Sequence, residues 1–264
     1  SNVIIIKGLS YPIEDHFIIS KADTMYNDII KCIVEYDKDH DTDDSTFRDI
    51  LVFVPGKADI LELTPRILKL NTSTKYLLPV EVTSKSVKTN PEEIFTPLKS
   101  IKVVLKNKEV ITPSRRVFIG TNVAETGVTI ESLGCVIDTG FYNSAEYNPE
   151  MECNVFIVKP ITKSMHIQRR GRVGRIAPGV CYSVFTEDIY NKLNDLAYPS
   201  IITDDITLDI LNILILNPTS DILNMDLVQT PAIKSVEYSL NKLFYLGAID
   251  KHKRVTELGK LINK

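Results

Sequence analysis

Four short segments composed almost entirely of apolar residues constrain the fold of this chain most strongly. They read ILVFV (50–54), RVFIG (116–120), LGCVID (133–138) and CYSVF (181–185). Apolar and polar residues do not alternate along them, as they would in a strand with one face in water. Each segment is therefore expected to be a strand of a parallel sheet that is covered on both faces.

Helical patterns alternate with these strands. Apolar residues recur at helical spacing in residues 22–36 and 58–70. Alternation of strands and helices predicts an α/β fold, with a parallel sheet and helices on both of its faces. After about residue 198 the strand patterns stop, and further helical patterns follow at 203–217, 230–246 and 255–262. The C-terminal part is therefore expected to be a small helical domain.

Residues 142–158 have a different pattern. The segments YNSAEY and CNVFIV flank a turn-like Asn148-Pro149 pair. Two extended runs around such a pair predict a β-hairpin.

Positive charge is concentrated in one part of the chain. The net charge is −3, which argues against a protein that coats nucleic acid with its whole surface. Residues 159–175 nevertheless contain six basic side chains and no acidic one, and four arginines fall in the octapeptide QRRGRVGR (168–175).

This octapeptide suits the binding of a phosphate. If it is helical, Gln168, Arg172 and Arg175 share one face. Two glycines destabilise such a helix by about 1 kcal/mol each, which is reasonable if the backbone must lie close to another surface. Arginine makes planar, bidentate contacts to phosphate, so Arg172 and Arg175 could act as arginine fingers on a nucleotide held by another domain. A solvated basic face and an RNA-binding stripe remain alternatives.

Together with an upstream segment, the octapeptide resembles a known family. Residues 115–141, RRVFIGTNVAETGVTIESLGCVIDTGF, and QRRGRVGR are similar to motifs V and VI of the DEAH/RHA-type superfamily 2 helicases. ILVFVPGKADI resembles motif IV, and LFYLGAIDKHKRVTELGKLI resembles the winged-helix segment. The resemblance implies a second RecA-like domain with a β-hairpin insertion at residues 1–198, followed by a winged-helix domain at 199–264.

The same resemblance implies roles at a nucleotide site. Arg172 and Arg175 would be the fingers on the γ-phosphate, and Gln168 would position the phosphate or the attacking water. Gly127 would contact the nucleotide through its backbone, and Phe95 would stack on the adenine. Core packing is the alternative for Phe95. Gly127 stands where cellular members have serine.

The resemblance also implies contacts with nucleic acid. Thr121 and Asn122 would hydrogen-bond to the RNA backbone, where such contacts position a strand without reading its sequence. The hairpin at 142–158 would separate the strands of a duplex. An ordinary turn at a strand end and a plain surface hairpin are the respective alternatives.

Two motifs that such a helicase requires do not occur in the chain. They are the phosphate loop GxxxxGK[ST] and the DExH acids that hold Mg²⁺. We therefore expect ATP with Mg²⁺ to be bound mainly by an upstream RecA-like domain, and the chain alone to be inactive. The expected partners are that domain and RNA, either single-stranded or a duplex with a single-stranded tail. A stand-alone nucleic-acid-binding module and a DNA helicase remain alternatives.

Other classes of site and location are not indicated. Cysteines and histidines are dispersed, so no metal site is predicted. No apolar run approaches the roughly 20 residues that span a bilayer, and no signal-peptide pattern opens the chain. The four scattered cysteines suit buried thiols in a reducing compartment, so an intracellular protein of cytoplasm or nucleus is expected. Cellular members have alanine at Arg170, and the spelling QRRGR is closer to viral relatives. The abundance of isoleucine and asparagine suggests an AT-rich genome, of a large DNA virus or of a protist, and a viral source would add the virion as a location.

Overall fold

The structure is a computed structural model and describes residues 11–40, 49–72, 75–105, 108–218, 220–225 and 227–262. The chain divides into two compact units. The first comprises Ser1–Asn143 and Val158–Leu196, and the second comprises Ser144–Ile157 and Ala197–Lys264.

The strands and helices follow one another along most of the chain. The strands are β1 (Ile13–Phe17), β2 (Asp49–Phe53), β3 (Leu77–Val82), β4 (Val103–Val104), β5 (Val110–Ile111), β6 (Arg115–Gly120), β7 (Leu133–Asp138), β8 (Phe141–Asn148), β9 (Cys153–Pro160) and β10 (Gly179–Ser183). The helices are α1 (Met25–Asp39), α2 (Lys57–Leu68), α3 (Ser84–Thr89), α4 (Pro91–Phe95), α5 (Val123–Thr126), α6 (Lys163–Arg170), α7 (Glu187–Lys192), α8 (Ser200–Thr203), α9 (Thr207–Leu216), α10 (Ile233–Tyr245) and α11 (Glu257–Ile262).

The predicted parallel sheet is confirmed in the first unit. Six strands pair in the order β1-β10-β7-β2-β6-β3, and every pairing is parallel. The final residues of all six strands pair across the sheet in one row, which runs Phe17, Ser183, Asp138, Phe53, Gly120, Val82. This row marks the carboxyl edge of the sheet, where ligands of open α/β sheets bind.

Both faces of the sheet are buried, as the all-apolar strands predicted. Successive residues of β2 point to opposite faces, so Ile50 belongs to one apolar cluster and Leu51 to the other. Helices α1 and α2 pack on the first face. Ile94 of α4 and Ala124 of α5 pack on the second.

The predicted hairpin at 142–158 is also confirmed. Strands β8 and β9 pair with each other and are joined by residues 149–152. The turn forms because the Asn148 side chain accepts hydrogen bonds from the amides of Glu150 and Met151, at 2.9 and 3.1 Å. Asn148 therefore starts the turn through its side chain, as asparagine often does.

The second unit has its own core, formed mainly by α9 and α10. Helix α9 begins at Thr207, four residues later than the 203–217 pattern predicted. The carboxylate of Asp205 accepts the Thr207 amide at 2.9 Å, which fixes the start of the helix. Beyond α10, Ile249 and Val255 form an antiparallel bridge. None of the helices within the described residues has the length and apolar character of a membrane-spanning segment.

Candidate functional site

The predicted nucleic-acid contacts lie at the carboxyl edge of the sheet. Thr121 and Asn122 directly follow β6 and lead into α5. The Thr121 amide donates to Val82 at 3.3 Å, and the Asn122 carbonyl accepts the Glu125 amide at 3.0 Å. Asn122 is exposed and Thr121 half-buried, so the two residues stand at a position typical of ligand contacts.

Gly127 ends α5 and is exposed. Its amide donates to the Val123 carbonyl at 2.9 Å, and a Cβ at this position would lie 2.9 Å from the same oxygen. The amide is thus engaged within α5, and the remainder of the Gly127 backbone is what a nucleotide could contact.

The prediction that residues 168–175 form one helix is wrong. Helix α6 contains Gln168, which is exposed, but ends at Arg170, and Arg172 and Arg175 lie in the following turn. The chain leaves the helix at Gly171, whose flexible backbone disfavours continuation. The three residues expected on one helical face are therefore held by a helix end and a turn.

Gly174 explains part of the glycine content of this turn. Its φ of +74° lies in the left-handed region that favours glycine. A Cβ at this position would lie 2.6 Å from Ile13, and the Gly174 carbonyl accepts the Tyr11 amide at 2.8 Å. The glycine therefore allows the turn to lie directly against the chain that enters β1.

Arg172 binds the loop around α5 through neutral acceptors. Its Nη1 donates to the carbonyl of Val128 at 2.8 Å, and its Nη2 donates to the carbonyl of Glu125. Its Nε is buried and has no hydrogen-bond partner among the described residues. Burial lowers the pKa of Arg172 below its ordinary value, and the nearby charge of Arg175 lowers it further.

Arg175 is exposed and close enough to Arg172 to affect its titration. Its Nε donates to the Gly171 carbonyl at 2.8 Å. Neither Arg172 nor Arg175 forms an ion pair with a carboxylate within the part of the chain that the structure describes. Neither guanidinium group therefore has a direct carboxylate partner there, although the charge of Glu125 acts to raise the pKa of Arg172.

The other two arginines of the octapeptide are neutralised by carboxylates. Arg170 forms a bidentate pair with Asp15 at 2.6 and 2.7 Å, and these hydrogen bonds raise the pKa of Arg170. Arg169 is completely buried and pairs with Asp138 at 2.8 Å and with Glu125 at 3.1 Å. Two arginines of the octapeptide are thus paired with carboxylates, and the other two have no direct carboxylate partner among the described residues.

Arg169 connects several parts of the site. Its guanidinium lies 4.9 Å from the ring centroid of Phe53 and donates to the Phe141 carbonyl at 3.1 Å, where β8 begins. On the other side of Asp138, His166 Nδ1 lies 3.0 Å from the second carboxylate oxygen. Sequence reasoning missed this network, although an aspartate that closes an otherwise apolar strand was a signal for it.

The pKa values of the two carboxylates in this network are shifted in opposite directions. Burial raises the pKa of Asp138, but the charge of Arg169 and the contact with His166 outweigh it, so the pKa lies below its ordinary value. Burial raises the pKa of Glu125, and here Arg169 opposes the effect only in part. Of the two carboxylates, Asp138 makes the shorter contact with the buried guanidinium, 2.8 Å against 3.1 Å for Glu125.

Phe95 lies apart from these residues. It is 55% exposed, whereas the neighbouring Ile94 is buried. The carbonyls of Ile94 and Thr96 accept hydrogen bonds from Arg116, at 3.1 and 2.8 Å. Arg116 lies near the amino end of β6, the opposite end of that strand from Thr121. Exposure suits a stacking role better than core packing. No contact among the described residues brings Phe95 close to Arg172 or Arg175.

Within the second unit, Lys242 of α10 binds Tyr147, which lies near the tip of the hairpin. Lys242 Nζ donates to Asp205 at 2.9 Å and to the Tyr147 hydroxyl at 3.3 Å. It also lies 5.4 Å from the Tyr147 ring centroid. The hydrogen bond to Asp205 raises the pKa of Lys242.

Residues 28–177 match the family model of the helicase conserved C-terminal domain. This range contains all seven residues that the sequence analysis assigned to the site.

The chain is also similar to viral proteins. It is 32% identical over 217 residues to the B962L protein of African swine fever virus, isolate Tick/South Africa/Pretoriuskop Pr4/1996, whose name describes an RNA helicase. That alignment covers 77% of this chain and 22% of the relative. Identity to B962L of isolate Pig/Kenya/KEN-50/1950 is 28% over 282 residues, which covers 100% of this chain and 29% of the relative. The chain thus spans less than a third of the length of these relatives.

Solved structures share the fold. A crystal structure of the E. coli DExH-box NTPase HrpB has a TM-score of 0.74 at 21% identity, and covers 97% of this chain and 29% of that chain. A crystal structure of the Escherichia coli DEAH/RHA helicase HrpB has a TM-score of 0.71 at 21% identity, over 96% of this chain and 30% of that chain. These similarities show a RecA-like fold. Since the family model covers more than half of the sequence, the chain belongs to the helicase conserved C-terminal domain family.

Proposed function

We propose that this chain is the C-terminal motor part of an ATP-dependent RNA helicase. Residues 1–198 form its second RecA-like domain, and residues 199–264 form a winged-helix domain. An upstream RecA-like domain of the same polypeptide binds most of the ATP and Mg²⁺. Arg172 and Arg175 complete the site as arginine fingers, and the chain alone does not hydrolyse ATP.

One observation carries this proposal. Of the four arginines in the octapeptide, Arg169 and Arg170 have carboxylate partners, whereas Arg172 and Arg175 have only carbonyl contacts within the described residues. A hydrogen bond to an ionised acceptor is about twice as strong as one to a neutral carbonyl. A triphosphate can therefore displace the carbonyls that now hold the Arg172 guanidinium.

The remaining nucleotide contacts follow from the same arrangement. Gln168 is exposed at the end of α6, directly before the turn that carries the fingers, and positions the γ-phosphate or the attacking water. Gly127 belongs to the loop that Arg172 binds, so the nucleotide and the finger meet at this loop. Phe95 stacks on the adenine by means of its exposed ring.

RNA is proposed to lie across the carboxyl edge at Thr121 and Asn122. Hydroxyl and amide side chains bind phosphate and sugar oxygens without selecting a base sequence. The hairpin of β8 and β9 separates the duplex. A single strand, or a duplex with a single-stranded tail, is the substrate. The name of the B962L relatives favours RNA over DNA.

The test uses the chain joined to the upstream part of its own polypeptide. We expect ATP hydrolysis stimulated by single-stranded RNA in the joined protein, and none by the isolated chain. The double variant Arg172→Ala/Arg175→Ala abolishes the stimulated rate, whereas Lys69→Ala/Lys192→Ala, which removes two exposed charges elsewhere, retains it.

The outcome separates the proposal from its alternatives. A stand-alone binding module would bind nucleic acid equally well with or without the upstream part and would show no hydrolysis in either form. A DNA helicase would unwind a tailed DNA duplex and leave the matching RNA duplex intact. Hydrolysis by the isolated chain would contradict the proposed division of the site.

A further inference from the structure

A basic turn projects from the second unit between the bridged residues Ile249 and Val255. Residues 251–254 read Lys-His-Lys-Arg, and all four are exposed. Ile249 is buried in the core of the unit, so the side of the turn that carries these residues faces away from that core. We call residues 251–254 the basic turn.

The carboxylate of Asp250 fixes the shape of the basic turn. It accepts the amides of His252 and Arg254 at 2.8 and 2.9 Å and pairs with Arg254 Nε at 3.0 Å. Asp250 thereby neutralises Arg254 but leaves Lys251 and Lys253 without a carboxylate partner among the described residues. The turn therefore presents two uncompensated ammonium groups on a defined backbone.

Lys253 has an unusual backbone conformation. Its φ is +60°, in the left-handed region that residues other than glycine rarely adopt. Such a conformation persists only where the surrounding structure determines it, and it is frequent at binding sites. Here the Lys253 amide donates to the Asp250 carbonyl at 2.9 Å, and the Asp250 amide donates to the Arg254 carbonyl at 2.8 Å.

Two exposed aromatic residues end α10, a few residues before the basic turn in the sequence. The amides of Ala248 and Ile249 donate to the Leu243 carbonyl, at 2.9 and 3.3 Å, so the chain folds back at the end of α10. Phe244 and Tyr245 lie at that end, with ring centroids 5.9 Å apart, and Tyr245 is 85% exposed. Cationic groups combined with exposed aromatic rings are the residue types that bind single-stranded nucleic acid, through phosphates and stacked bases.

We propose that the basic turn is a second binding site for single-stranded RNA, in which Lys251 and Lys253 contact phosphates and Tyr245 stacks on a base. The inference rests on the proposed function for its ligand class, but it uses none of the residues at the carboxyl edge of the sheet. Its contacts are independent of ATP and of the upstream domain, so the chain itself is sufficient for the test.

The test measures binding of a fluorescent 12-nucleotide oligouridylate by anisotropy at several salt concentrations. Each phosphate contact to a single strand contributes about 0.7 to the slope of log affinity against log salt. Lys251→Ala/Lys253→Ala is expected to reduce this slope by about 1.4, which corresponds to about 25-fold weaker binding at 0.1 M salt. Tyr245→Ala weakens binding without changing the slope, because stacking releases no counterions.

The matched control is Lys69→Ala/Lys192→Ala, which removes the same charge from exposed positions of the first unit. It should bind like the wild-type chain. Circular dichroism verifies that every variant is folded. An equal loss in the control would show a general effect of charge and would overturn the inference. So would binding of polyglutamate with the same dependence on Lys251 and Lys253, since the partner would then be an acidic protein.

The two proposals fail in different ways. If the basic-turn variant binds like the wild-type chain while Asn122→Ala loses affinity, the basic turn is not a site and the proposed function stands. If the wild-type chain binds no RNA even at low salt, both proposals are contradicted.

Discussion

The guanidinium of Arg169 and the carboxylate of Asp138 form an ion pair of 2.8 Å in which neither side chain is exposed to solvent. Asp138 ends β7, and Arg169 lies in the last turn of α6, just before the turn that carries Arg172 and Arg175. The pair therefore fixes that turn relative to the carboxyl edge of the sheet. A buried pair adds little net stability, but the loss of one partner leaves a buried charge uncompensated.

Asp138→Ala should therefore be strongly destabilising. We expect the free energy of unfolding to fall by about 3–5 kcal/mol, because Arg169 stays buried without its main partner. Urea denaturation measures the change. The control is Asp195→Ala, since Asp195 is 83% exposed where it pairs with Lys163, and its loss should be less than about 1 kcal/mol. Similar losses in the two variants would contradict a structural role for Asp138.

The stability of Glu125→Gln relative to the wild-type protein should increase as pH rises, whatever the difference between the two is at low pH. Burial raises the pKa of Glu125 in the folded state, so the carboxyl group holds its proton more tightly there than in the unfolded chain. The wild-type protein then loses stability relative to the variant as pH rises above about 4, the pKa in the unfolded chain. The glutamine oxygen still accepts a hydrogen bond from Arg169. Urea denaturation between pH 4.5 and 7.5 tests this expectation, and a difference independent of pH would contradict it.

Asp138 provides the opposite control. Its pKa is lowered in the folded state, so its contribution to stability is present above about pH 4 and is lost as pH falls below the unfolded pKa. The free energy of unfolding of Asp138→Asn should therefore fall less steeply than that of the wild-type protein as the pH is lowered below about 4.

Gly174→Ala should destabilise the turn of the candidate fingers. A Cβ would lie 2.6 Å from Ile13 in a backbone conformation with a φ of +74°, so contact and strain act together. We expect a loss of about 1–3 kcal/mol. At Gly56, the N-cap of α2, the nearest atom to a Cβ would be 3.9 Å away, so Gly56→Ala should lose only the advantage of glycine over alanine at an N-cap, less than about 1 kcal/mol. Thermal denaturation of both variants compares the two sites.

Lys242→Ala should loosen the hairpin tip within the second unit. Lys242 is partly exposed and binds Asp205 and Tyr147, so the stability loss should be no more than about 1 kcal/mol. Hydrogen exchange should accelerate at residues 144–148. Lys234→Ala is the control, because its pair with Glu150 is 3.7 Å long and largely exposed. Equal acceleration in both variants would exclude a specific anchor at Lys242.

The sequence predicted the central strands of the sheet but not its edges. Strands β2, β6 and β7 are apolar except at their ends, because both of their faces are covered. The edge strand β3 contains Pro79, which argues against a strand unless it lies at an edge. The other edge strand, β1, reads IEDHF and is mostly polar. Its pairing with β10 depends on long-range contacts that no local pattern contains.

The candidate site was predicted in part. The positive charge of the octapeptide was evident from the sequence. The sequence did not show which of its arginines pair with carboxylates and which have no direct carboxylate partner. Arg169 and Arg172 are both arginines and lie three positions apart. Arg169 is buried and pairs with carboxylates, whereas Arg172 donates to backbone carbonyls. Only the packing of α6 against β7 distinguishes them. The helix expected over 168–175 failed because Gly171 and Gly174 give the chain a turn.

Single-turnover hydrolysis by the joined protein, saturated with ATP and single-stranded RNA, measures whether Arg175 acts in the chemical step. If Arg175 acts on the γ-phosphate, Arg175→Ala slows the chemical step by on the order of 10³-fold and leaves RNA affinity nearly unchanged. If Arg175→Ala instead weakens RNA binding strongly while the bound complex hydrolyses ATP at the wild-type rate, the arginine belongs to a nucleic-acid surface and the proposed function is contradicted.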